Sequence, residues 1–197
     1  MKNLSRKKLA RFSLVLLAVL PLAACVHTAA YPDKWESLSS RSTDNSCQAV
    51  AGTYRDTGED NSLSPDASLY DVLFGYDYGW NEPGKASYTN IHFDHPGKLT
   101  IAVYGQKGGL LHQASFDAAQ GQYSCDKGAV VLKANGPIKQ PLVFGRFHQT
   151  LSLESTPGHL VVQDHQSGTG VVVVLPTITS SSTWFRFQRV NGDPATL

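Results

Sequence analysis

Three kinds of side chain in this sequence offer chemistry: three cysteines, seven histidines and a strip of alternating aromatics. His92 and Asp94 stand two residues apart, which in an extended strand puts both on one face, and His95 follows at once. Two imidazoles and a carboxylate are zinc or copper ligand types, and His112 or His148 would have to join them to complete a site. The same residues suit the solvent face of a hairpin equally well. Asp71, Asp77 and Glu154 are carboxylates capable of acid–base work, but no spacing ties any two into a pair. The sequence contains no Gly-x-Ser-x-Gly elbow, no Walker sequence and no strand–GxGxxG–helix unit, so esterase and nucleotide chemistry lose their motifs. The chain therefore reads as non-enzymatic, with no cofactor expected and no metal beyond the weak His92, Asp94, His95 candidate.

The aromatic strip is Phe74-Gly75-Tyr76-Asp77-Tyr78-Gly79-Trp80. Rings on every second position project to one side of an extended chain. As a recognition surface, Tyr76, Tyr78 and Trp80 would stack on sugar rings or grip a partner protein. As core residues they would plug one end of the fold. Asn81-Glu82-Pro83-Gly84 follows, and loops of that composition lie at the surface.

These residues need a compartment and a scaffold. Net charge is +1, but five of the 17 basic residues precede Phe12, which leaves 12 against 16 acidic, or −4. That sign offers no electrostatic case for nucleic acid. The basic start, the apolar run Phe12–Leu22 and the small residues Ala23 and Ala24 make a secretory signal over residues 1–24. The run is far shorter than the roughly 20 residues of a bilayer span. Leu22-Ala23-Ala24-Cys25 resembles the lipobox of bacterial lipoproteins. The resemblance implies cleavage before Cys25, a diacylglycerol on its thiol and a membrane partner through that anchor. Val26 stands where an aspartate would favour inner-membrane retention, so the chain is similar to the outer-membrane set. With Cys25 acylated, Cys47 and Cys125 remain as an even pair in an oxidising compartment, and a disulfide between them is expected. Residues 25–46 read as the lipidated cysteine and a tether, 47–190 as one β domain and 191–197 as a tail.

Within the domain the apolar period is two. Ile91 and Phe93 alternate with His92 and Asp94. The turn His95-Pro96-Gly97-Lys98 follows, then Leu99, Ile101 and Val103 alternate with Thr100, Ala102 and Tyr104. Thr156-Pro157-Gly158-His159 is a second such turn. In Leu142–Glu154 the residues Val143, Gly145, Phe147, Leu151 and Leu153 share a face, and Gly145 would relieve crowding where a sheet coils. His159–Gln163 and Val171–Leu175 are expected to pair across a loop holding Gly168 and Gly170. The pattern predicts an all-β fold of about nine short strands. A small antiparallel meander barrel or strongly coiled sheet fits best, with a two-sheet β-sandwich as the alternative. One short helix is predicted over Pro65–Phe74, with Ser64 as its N-cap.

Gly52-Thr53-Tyr54 resembles the Gly-x-Trp that opens the first strand of lipocalin-type barrels, with tyrosine in place of tryptophan. The resemblance implies that an arginine of the last strand, Arg186 or Arg189, covers the ring. Cys47-x4-Gly52-Thr53-Tyr54, Tyr123-Ser124-Cys125-Asp126-x-Gly128 and Trp184-Phe185-Arg186-Phe187 also resemble an uncharacterised group of envelope lipoproteins. The expected role is a lipid-anchored envelope protein that binds an envelope protein or glycan, or stabilises an assembly. A lipocalin-like small-ligand carrier and an envelope-polymer hydrolase are its rivals.

Overall fold

The structure is a computed structural model and describes residues 25–38, 46–62, 66–75, 86–138, 143–172 and 175–192. The strands are β1 (Cys25–Thr28), β2 (Gly52–Asp60), β3 (Ala67–Ser68), β4 (Ala86–His95), β5 (Lys98–Gly105), β6 (Leu110–Asp117), β7 (Tyr123–Asp126), β8 (Ala129–Pro137), β9 (Val143–Thr156), β10 (His159–Val172) and β11 (Leu175–Val190). All join one 11-stranded sheet in the order β6-β5-β4-β2-β11-β10-β9-β8-β7, with β1 on β11 and β3 on β2. β4-β5-β6 and β7-β8-β9-β10-β11 each run in meander order, and β2 seats between β11 and β4. That insertion brings the two ends of the domain together and coils the sheet into a nearly closed all-β barrel. The remaining seam lies between β6 and β7. The turn joining them ties it, because the Gln122 amide N–H donates to the Asp117 carbonyl at 3.1 Å.

The inward phase of the strands fills the barrel. Tyr54, Ile91, Leu99, Ile101, Val130, Leu132, Leu151, Leu153, Leu160, Val162 and Phe187 form one buried cluster. Each such side chain is worth about 1.5–3 kcal/mol when removed from water. Leu69 and Val72 add to this cluster from the short helix α1 (Leu69–Phe74). The helix begins later than its sequence suggests, because Ser68, not Ser64, is the cap. Ala67 and Ser68 pair with β2, the Ser68 hydroxyl accepts from the Asp71 N–H at 3.2 Å, and Asp56 accepts from the Tyr70 N–H at 2.8 Å. Ser64 and Pro65 lie outside the described residues.

Both Pro-Gly turns form as predicted, pairing His95 with Lys98 and Thr156 with His159. The loop expected around Gly168 and Gly170 does not. β10 runs unbroken from His159 to Val172 and pairs along its whole length with β9 and β11. The glycines sit there because strands approach closely: a Cβ on Gly145 would meet the Thr169 carbonyl at 2.3 Å, and one on Gly170 would meet the Phe144 carbonyl at 2.7 Å. Facing glycines let this stretch coil tightly, so they continue the strand where turn chemistry predicts a break.

The closing junction is chemical as well as topological. Arg189 of β11 lies 5.3 Å over the Tyr54 ring. Its guanidinium donates to the Ala49 and Ala51 carbonyls, each at 2.7 Å, and to the Tyr54 hydroxyl at 2.8 Å. The Tyr54 hydroxyl in turn donates to the Val50 carbonyl at 2.7 Å. A Cβ on Gly52 would press on the guanidinium at 3.0 Å, which explains the glycine. Of the two arginines that the lipocalin resemblance offers for this role, Arg189 fills it. Cys47 and Cys125 form a disulfide, with Cα atoms 5.7 Å apart, that staples the turn before β2 to seam strand β7. Loop entropy gives such a bridge about 4 kcal/mol. Arg189→Ala should cost about 2 kcal/mol in urea unfolding, and Arg189→Lys should recover only part, because an ammonium lacks the planar fork that reaches several acceptors.

Candidate functional site

Among the described residues most of the inner face is filled by apolar side chains, which directs attention to the outer wall and the ends. On the outer wall, β10 and β11 break the polar pattern with Val161 and Trp184. Both are buried, because the segment between Cys25 and Leu38 crosses over them. This is the stretch that reads as a tether in sequence. Its first residues form β1, parallel to β11, with Cys25 opposite Thr179 and Thr28 opposite Ser182. Its aromatics do the rest. Trp35 is 5% exposed and packs with Val161 and Trp184. Tyr31 meets both indoles edge-on, at 5.7 Å to Trp35 and 5.1 Å to Trp184. The Trp184 indole N–H donates to the Ala29 carbonyl at 3.1 Å. The segment is therefore a strap seated by about three aromatic side chains, each a large apolar payload.

An ionic cluster locks the far end of the strap. Arg186 of β11 stacks 5.2 Å over Trp35 and donates to Glu36 Oε2 at 3.0 Å. It also forks onto Glu59 of β2, with Nε at 2.6 Å from Oε1 and Nη2 on the same oxygen. His159 Nδ1 stands 3.5 Å from Glu36 Oε1. Glu36 is held below the usual carboxylate range by its own backbone N–H first, then by Arg186 and His159, against some desolvation. Beside the cluster lies an open groove of about 350 Å³ lined by Arg55, Thr57, Glu59, His159, Arg186 and Gln188. Its lining side chains end in polar or charged groups. Arg186 already engages both carboxylates.

The sequence-predicted residues fall elsewhere. His92 and Asp94 do share the outer face of β4. His92 Nε2 is 3.0 Å from Asp94 Oδ1, and its Nδ1 is 2.8 Å from Asn90 Oδ1. Asp94 also accepts from the Thr100 hydroxyl at 2.6 Å, and Thr100 meets Ser115 at 3.0 Å. The Thr100 bond first, then His92 and Lys98, hold the Asp94 carboxyl low. His95 ends β4 as an exposed residue beside the turn. Neither further histidine joins them: His112 packs on the Phe74 ring at 4.6 Å, and His148 lies on β9 opposite Ser167. Among the described residues no three His, Cys, Asp or Glu side chains converge to hold a metal. Tyr76, Tyr78 and Trp80 lie outside the described residues.

One group was missed in sequence. Asp164 of β10 continues the inward phase of Leu160 and Val162 and is buried, 7% exposed. Gln149 and Gln166 donate to its two oxygens at 3.0 and 2.6 Å. Burial pushes its carboxyl above the ordinary range, and the two amides offset part of that rise. The signal was present: an aspartate and a glutamine replace aliphatics on the core face of β10.

Two outcomes follow from this arrangement. Trp35→Ala removes the largest anchor of the strap and should expose the chain near Lys34 to limited proteolysis, while the barrel stays folded with a lowered melting temperature. For Asp164, a raised native pKa means that its favourable contribution is complete below the unfolded value of about 3.9 and is lost as pH climbs through the native value. Melting curves of Asp164→Asn and wild type from acid to neutral pH should therefore show the variant gaining on wild type as pH rises. A difference that stays flat would show that the Asp164 carboxyl is not raised in the native state.

No protein family, curated protein or solved structure matches this chain, so its function must be read from its own residues.

Proposed function

We propose that this chain is a lipid-anchored protein of the bacterial cell envelope, held at the outer membrane, whose barrel works by binding rather than catalysis. The observation that carries the reading is the identity of the residue that opens the strap. Cys25 ends a lipobox-like sequence and is also the first residue of β1. Acylated there, the chain would present its barrel at a short, fixed offset from the lipid, not on a long leash. A Cys47–Cys125 bridge suits the oxidising compartment that a secretory signal implies. Among the described residues, the Arg186 groove and the outer wall are surfaces open to an envelope protein or glycan partner.

A small-ligand carrier is the second reading, favoured by one observation. Arg189 over Tyr54 resembles the arginine that covers the first-strand tryptophan in lipocalin-type barrels. The large side chains on the inner face weigh against it.

Intact mass spectrometry of the membrane-extracted protein tests the anchor. The expected product begins at Cys25 and carries acyl mass on that residue, and Cys25→Ser should leave the protein unprocessed or mislocalised. An unmodified N-terminus at another position would overturn the proposal.

A further inference from the structure

The three longest strands, β9, β10 and β11, run past most of the barrel wall, with β8 accompanying β9 as far as Arg146. β2 reaches only as far as Phe185 of β11, at its Asp60, and beyond that point β11 is flanked by β1 alone on that side. This protruding end is unlike the rest of the outer wall. Among the described residues six large apolar side chains are exposed, and four of them are here: Phe144 at 74%, Val26 at 65%, Ile178 at 54% and Val171 at 38%. Register puts them on one face. Phe144 pairs with Val171, Val171 with Pro176, and Ile178 with Thr169. All share the outward phase of Val161 and Trp184, so they form a patch and are not scattered singly. The strand segments that build this end, 133–137, 143–150, 165–172, 175–182 and 25–28, contain no aspartate or glutamate; their permanently charged side chains are Lys133 and Arg146. The residues that end β10 and open β11 there, Val171, Val172, Leu175 and Pro176, are all apolar.

We propose that this end of the sheet seats in the lipid interface beside the acylated Cys25. The inference rests on the anchor reading above and deepens it. Cys25 is opposite Thr179, and β1 runs parallel to β11 with its first residue toward the tip. Acyl chains leaving Cys25 therefore enter the bilayer next to Ile178. The tip at Leu175 extends four residues further along β11, about 13 Å at strand rise. With Cys25 drawn to the membrane surface, that tip enters or lies along the headgroup layer. An interfacially bound apolar face sits roughly 5–10 Å deep, a depth the tip can reach. The surface the geometry forces against lipid is the one that carries exposed Phe144, Val171 and Ile178, lacks carboxylates and holds an arginine for anionic headgroups. β10 is paired on both sides up to Val172, so its backbone polar groups are satisfied there.

The test is tryptophan quenching in the acylated full chain, reconstituted into phosphatidylethanolamine and phosphatidylglycerol vesicles with or without brominated acyl chains. Phe144→Trp and Ile178→Trp alter exposed side chains and leave the core untouched. Ala119→Trp places the probe in the exposed turn between β6 and β7, at the other end of the barrel. Relative to the parent, which has three tryptophans of its own, the added emission at 144 and 178 should be blue-shifted and mostly lost in brominated vesicles. The emission added at 119 should be unchanged. Flotation and intact mass on the same samples separate the two ideas. Acylated protein that floats while its tryptophans at 144 and 178 stay unquenched overturns the seating alone. A blue-shifted but unquenched probe also overturns it, and assigns the patch to a second copy of the chain. A chain without acyl mass that does not float overturns the anchor reading, and the seating with it.

Discussion

The guanidinium of Arg189 lies where three demands meet: closing the sheet, satisfying the turn that precedes β2, and covering Tyr54. A meander sheet of this length has two edges that must be hidden or paired. Pairing β2 with β11 joins the first and last parts of the domain across almost its entire length. Such a long-range pairing carries a high loop-closure cost, and chain-distant contacts must offset it. Arg189 supplies several at once, because one planar fork reaches two carbonyls and a phenol oxygen. The disulfide acts on the same region from the other side, linking the turn before β2 to β7. The barrel interior can then be apolar throughout its middle.

Closure at β2 has a second consequence. Since β2 covers only the last part of β11, the first part has a free edge, and the strap segment fills it as β1. A parallel strand on an edge is a modest interaction alone. Here it is reinforced by burial of Trp35 on Val161 and Trp184 and by the Arg186 fork to Glu36 and Glu59. Apolar residues on the outward phase of β10 and β11 and aromatics in the strap thus answer one another. A free spacer would have left both sets in water.

The polar groups that do enter the protein are placed at the limits of the apolar core. Asp164 sits where the inward phase passes from Val162 to Gln166, and two glutamine amides receive its oxygens. Asp56 is raised by burial in the same way and is held by the Tyr70 N–H and the Ser68 hydroxyl at the start of α1. In each case a buried carboxylate is tolerated because every near donor aims at it.

Sequence alone determined the fold class, the Pro-Gly hairpins, the inward face of β9 and the expected cysteine pair. Each rests on local chemistry: alternation with period two, turn residues with fixed dihedral preferences, and a count of thiols. It also narrowed the arginine over Tyr54 to two candidates. Choosing between them needed the β2–β11 register, with its irregularity between Phe187 and Arg189, which no local pattern encodes. The continuity of β10 through Gly168 and Gly170 was hidden for a related reason: glycine reads as a turn unless the strand crowding it can be seen. The strap was missed because its aromatics are sparse and their partners, Val161 and Trp184, lie more than a hundred residues away. His92 and Asp94 met as their spacing implied, but a third ligand depended on strand positions that only the closed sheet assigns, and among the described residues it brought none. Spacing along a chain reports which residues share a face; only the closed barrel decides what that face touches.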